Sequence, residues 1–158
     1  MGLDIRVGVD NEEQVFTGEY VNSELSSEHA LSRSFCYLIC EADAVGDDED
    51  LLLEQLEKVS GVDLGIFAAM EVSPTPIHEV LTTLGSLIES LTKVGDLPAT
   101  FAERDESPID IASYFGDFSI NKGDGYIGNN FGHDLRNLKR FLEYARSRGS
   151  QMVEFQYG

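Results

Sequence analysis

Apolar and polar positions alternate strictly from Leu3 to Val9: Leu3, Ile5, Val7 and Val9 fall on one face, and Asp4, Arg6 and Gly8 on the other. This period of two predicts a half-buried β-strand. After a polar turn, Gln14 to Val21 carries Val15, Phe16, Tyr20 and Val21 with a glycine at Gly18, which predicts a returning antiparallel strand bent at Gly18 and hence an N-terminal hairpin. From about Ser27 the period lengthens. Ala30, Leu31, Phe35, Leu38 and Ile39 recur at three- and four-residue steps with Cys36 and Cys40 alongside, predicting a helix.

The stretch Leu51 to Ser60 predicts a short helix stopped by Gly61, and Val62 to Val72 suits either a buried strand or a short helix. The clearest helix runs from Thr75 to Gly95, with Ile77, Val80, Leu81, Leu84, Leu87, Ile88 and Leu91 in one stripe, Thr75 placed to cap and Pro76 at the first helical position. A polar, proline-containing connection follows. Residues 113–120 and 126–128 then flank Asn121 to Gly125 as a second predicted hairpin. His133 to Gly149 reads as an amphipathic helix, and Met152 to Tyr157 alternates again as a closing strand. The expected fold is a single α+β domain over residues 1–158: a mixed or antiparallel sheet with an N-terminal hairpin and a C-terminal strand, packed against three to four helices.

Charge narrows the functional classes. The chain of 158 residues carries 29 Asp and Glu against 11 Lys and Arg, a formal net charge of −18. Such a surface repels phosphates, so nucleic acid and anionic membranes are disfavoured as partners. No apolar run approaches a membrane span, and the opening residues lack the basic and apolar regions of a signal peptide, so a cytoplasmic location is expected. The acid is uneven: residues 1–71 hold 17 Asp and Glu against three Lys and Arg, whereas residues 132–149 hold five basic residues against two acidic ones. The surface is expected to be strongly polarised if these segments face apart.

The candidate chemistry is sparse. Gly123, Gly125 and Gly128 match a G-x-G-x-x-G pattern, but the helix that follows begins about five residues later, where a dinucleotide turn needs it inside the motif. A hairpin turn explains the glycines better. A looser anion site remains as an alternative, with Gly123, Gly125, Gly128, Asn129, Asn130 and His133 supplying N–H groups and amides, opposed by the Asp134 carboxylate in the same turn. His29 and Cys36 lie about 10 Å apart along a helix and cannot share an ion, so no metal site is expected. Cys36 and Cys40 read as buried reduced thiols. No cofactor motif is present, and the balance leans away from an enzyme; His133 beside Asp134 is the least weak catalytic pair.

The acidic stretch Asp47, Asp48, Glu49 and Asp50, with Glu41 and Asp43 nearby, suits the steering and charge-assisted pairing of a basic protein partner. The opening Met-Gly-Leu-Asp of the first strand resembles a loose group of small bacterial and phage-associated proteins. In type, a short acidic α+β chain resembles the immunity proteins of bacterial toxin systems. That resemblance implies a non-enzymatic binding protein that neutralises a basic partner, a toxin foremost. The alternatives are a small-ligand or phosphate-binding domain or enzyme using the loop from Gly123 to His133, and a homo-oligomeric structural subunit whose basic helix meets the acidic half of a second copy.

Overall fold

A computed structural model of the protein describes residues 5–39, 51–101, 109–120 and 129–157. Four strands, β1 (Ile5–Val9), β2 (Ala30–Leu31), β3 (Thr75–Pro76) and β4 (Met152–Tyr157), form one antiparallel sheet in the order β2-β1-β4-β3. The centre is the pairing of β1 with β4, in register from Ile5 opposite Tyr157 to Val9 opposite Val153. Alternation fixes this register. Ile5 and Val7 on β1 and Val153 and Phe155 on β4 are buried, while Arg6 and Gln156, paired across the strands, are exposed. The α+β class, the antiparallel sheet, the N-terminal strand and the closing strand are as the pattern predicts.

Helices cover the apolar side of the sheet. Among the described residues they are α1 (Glu12–Val15), α2 (Gly18–Val21), α3 (Arg33–Ile39), α4 (Leu52–Ser60), α5 (Gly65–Val72), α6 (Ile77–Thr92), α7 (Ile111–Tyr114) and α8 (Phe131–Ser147), with a 3-10 turn at Pro98–Thr100. The two long helices carry the core. α6 buries Ile77, Val80, Leu84, Leu87 and Leu91, and α8 buries Leu135, Leu138, Phe141, Leu142 and Ala145. Phe155 of the sheet meets Phe35 of α3 and Phe67 of α5 at centroid distances of 5.9 and 6.2 Å. Gly61 ends α4 in the left-handed region (φ 72°), as its place after the last apolar residue predicts.

The structure corrects several local expectations. Gln14 to Val21 is no returning strand: it lies across α1 and α2, because the Thr17 side chain caps the second turn by accepting from the Tyr20 N–H (3.3 Å). The partner of β1 is instead Ala30–Leu31, the start of the predicted helix, so α3 begins only at Arg33. His29 therefore precedes β2 and shares no helix with Cys36. The ambiguous segment resolves as α5. Thr75 and Pro76 pair with β4 as β3, and Pro76, making no side-chain cap bond, holds the N-cap position of α6. In the predicted second hairpin, Ile111–Tyr114 is a helix capped by Asp110, followed by a turn; residues 121–128, including Gly123, Gly125 and Gly128, lie outside the described residues.

Candidate functional site

The described part of the sequence-predicted site is the start of α8, and its own polar groups close it. Asn130 is extended and caps the helix, its Oδ1 accepting from the His133 N–H at 3.1 Å while its Nδ2 donates to the Gly116 carbonyl at 3.0 Å. Asn129 Oδ1 accepts from the Ser34 N–H at 3.3 Å. The backbone packs tightly here as well: a Cβ on Gly132 would lie 2.4 Å from the Phe118 carbonyl oxygen. An anion at this terminus would meet a cap already made by Asn130 and a carboxylate in the first turn.

That carboxylate, Asp134, is the hub of a network that sequence alone did not reveal. Its Oδ1 accepts from the Ser32 N–H (3.1 Å), and its Oδ2 accepts from the Ser32 hydroxyl (2.6 Å) and from the Tyr114 hydroxyl (2.7 Å). Ser32 Oγ accepts in turn from the Phe35 N–H at 3.2 Å, which starts α3. One side chain thus ties the β2–α3 corner and α7 to α8. Burial pushes the Asp134 carboxyl up to about 7, against the opposing pull of the Ser32 and Tyr114 bonds; burial, then the Asp134 charge, holds the Tyr114 phenol well above its ordinary range. Asp134, Ser32 and Tyr114 are 2, 5 and 1% exposed, so the trio holds elements together and offers no group to a substrate.

A second buried polar centre lies along the same helix. Glu28, fully buried, pairs with Arg140 (2.7 Å), whose Nη2 also donates to Asn137 Oδ1 (3.1 Å). Beside it the Tyr20 hydroxyl bonds His29 Nδ1 at 2.7 Å, and the rings of Phe16, Phe141 and Tyr144 pack around Tyr20. Burial, reinforced by Arg6, lowers the His29 pKa, so the imidazole is held neutral; burial chiefly raises that of Tyr20.

Of the basic residues of α8, Arg136 and Arg140 are engaged with buried or backbone acceptors, Lys139 makes a surface pair, and Arg146 is exposed. Arg136 donates to the carbonyls of Phe118 (2.8 Å) and Ile120 (3.2 Å), Lys139 pairs with Glu143 (2.7 Å), and Arg140 with Glu28. Beyond the helix, Arg148 Nε donates to the Gln14 carbonyl (3.3 Å) and its own carbonyl accepts from Asn11 (3.0 Å). The basic segment and acidic α1 therefore lie together rather than facing apart. By contrast Glu12, Glu13, Glu19 and Glu24 are exposed, and among the described residues no side chain pairs with them. Glu41, Asp43, Asp47, Asp48, Glu49 and Asp50 lie outside the described residues.

Among the described residues, no helix is long and apolar enough to cross a membrane, and no cluster of His, Cys, Asp and Glu could hold a metal ion. Cys36 is buried. The chain matches no known protein family, no curated protein and no solved structure.

Proposed function

We propose that the protein is a non-enzymatic binding protein that captures a basic protein partner through its acidic surface, in the manner of the immunity proteins that neutralise bacterial toxins. The observation that carries this reading is the asymmetry of charge pairing. Of the cations of α8, Arg136 and Arg140 are drawn onto the Phe118 and Ile120 carbonyls and Glu28, Lys139 pairs with Glu143 at the surface and Arg146 is exposed, while Glu12, Glu13, Glu19 and Glu24 stand exposed with no partner among the described residues. These four carboxylates therefore face outward uncompensated among the described residues. Uncompensated carboxylates accelerate encounter with a basic surface and select against acidic ones. Exposed Val21, between Glu19 and Glu24, adds an apolar contact that charge alone lacks. Glu41, Asp43 and Asp47 to Asp50 extend the same acidic character in sequence.

The test is capture from source-cell lysate at low and moderate salt, using the native chain, a variant with Asp47→Asn, Asp48→Asn, Glu49→Gln and Asp50→Asn, and a variant with Glu12, Glu13, Glu19 and Glu24 all changed to Gln. The reading expects one basic protein retained by the native chain, released by salt and weakened in at least one variant, which then binds the purified native chain directly. Retention of no specific protein, or of one indifferent to both variants and to salt, sinks it.

A further inference from the structure

We propose that Asp134, Ser32 and Tyr114 form a proton-operated latch: the closed cluster keeps one proton that the opened chain gives up at lower pH, so that α7 and the β2–α3 corner are held onto α8 most firmly in acid and less firmly as pH rises to neutrality. The geometry is that of a carboxyl group read from two sides. Oδ2 carries both hydroxyls, at 2.6 and 2.7 Å, whereas Oδ1 carries one N–H at 3.1 Å. All three residues are buried, and no Lys, Arg or His among the described residues pairs with the carboxylate. Arg136, two residues on, is turned to the Phe118 and Ile120 carbonyls, and Arg33, beside Ser32, is exposed. A charge sealed in with no counter-cation among the described residues costs more than three hydrogen bonds from neutral donors return.

Among the described residues, the titratable group bonded to Asp134 is Tyr114 of α7, and the β2–α3 corner contributes neutral Ser32. Because the phenol is held well above its ordinary range, it keeps its proton and Asp134 is the member that changes state. A carboxyl proton on Oδ2 has two hydroxyl oxygens within reach, Ser32 Oγ and Tyr114 Oη. Protonation reverses one of these two hydroxyl bonds and leaves the Ser32 N–H bond to Oδ1 in place. The folded-state value of about 7 lies above the unfolded carboxyl. Between the ordinary carboxylate range and neutrality the folded chain therefore holds a proton that the unfolded chain has lost. The latch's contribution falls as pH rises through that window, by up to about tenfold in the folding equilibrium per pH unit, and levels off above it.

The experiment follows the Asp134 carboxyl carbon by NMR against pH in the intact chain, with the signal assigned by through-bond correlation to its own backbone. In parallel, amide hydrogen exchange is measured in α7 and at Ser32 to Phe35 at about pH 6 and about pH 8.5. The expected result is a carboxyl midpoint near neutrality and protection at these amides that weakens on the alkaline side. Asp134→Asn abolishes that pH dependence. Ser32→Ala and Tyr114→Phe each move the midpoint upward, because each removes a donor that favours the charged form; a purely structural role would leave the midpoint in place. A midpoint in the ordinary carboxylate range overturns the proposal, as does the same pH-dependent protection in Asp134→Asn. The titration of the native chain decides the matter even if a variant fails to fold.

Discussion

Removal of Arg140 tests how the protein tolerates its most deeply buried charge. Glu28 is 0% exposed, and its Oε1 lies 2.7 Å from Arg140 Nη2, while the Arg140 side chain keeps 32% of its surface in solvent. Two scales compete for the magnitude. An exposed ion pair contributes about 0–1 kcal/mol, whereas stripping the partner from a buried charge costs about 3–5 kcal/mol. The carboxylate decides, because it is the fully buried member of the pair. The half-open guanidinium places the cost at the lower end, about 3 kcal/mol for Arg140→Met. In a chain of this size that lowers the thermal midpoint by about 6–12 °C. Urea unfolding near neutral pH of Arg140→Met, Glu28→Gln and the double variant completes a cycle. The double variant should recover most of the loss, since it buries no uncompensated charge. A loss below about 1 kcal/mol in Arg140→Met, with no recovery in the double variant, would refute the claim that Glu28 is a buried charge dependent on Arg140.

Other outcomes follow from the same geometry. His29 has a lowered pKa, so the unfolded imidazole binds a proton more readily than the folded one; its contribution to stability is present above the ordinary histidine range and is lost as pH falls below it. His29→Gln should flatten the fall in stability on the acidic side of about pH 6.5, and an unchanged acid slope would show that the Tyr20–His29 centre does not titrate as described. Gly132→Ala forces a Cβ to within 2.4 Å of the Phe118 carbonyl oxygen, which also holds Arg136; a loss of roughly 1–3 kcal/mol is expected in denaturant unfolding, and a neutral result would mean that the 118–132 contact is looser than drawn. Asn130→Ala removes both the α8 cap and the Gly116 bond and should cost about 1–2 kcal/mol, with Asn130→Asp, which can still cap, losing less; equal losses would count against the cap.

The elements that pattern alone disclosed are those whose apolar period is long and whose partners matter little to their shape. β1 and β4 alternate cleanly, and α6 and α8 carry sustained stripes, so each was legible without knowing the sheet order. Short segments were decided by local chemistry and by competition for the sheet. Val15 and Phe16 are adjacent, which a strand would split between faces, and the Thr17 cap turns Gly18–Val21 into helix. Ala30 and Leu31 fit a helical stripe, yet the open edge of β1 draws them into β2. The polar network was harder still. Asp134 shares a helix face with Leu138, Phe141 and Ala145, and a carboxylate on an apolar stripe is the one local sign of a buried hub. Its partner Ser32 lies 102 residues away in sequence, a convergence that no spacing within α8 encodes.

The most direct measurement of the central claim is the salt dependence of affinity between the purified protein and the partner it captures. Titration calorimetry is run at about 50 mM and about 300 mM salt, with the native chain beside the variant in which Glu12, Glu13, Glu19 and Glu24 are Gln. The account predicts a basic partner bound in a defined stoichiometry, its Kd weakening by about tenfold or more across that range, with a shallower dependence in the variant. Binding that ignores both salt and the loss of these carboxylates would contradict it.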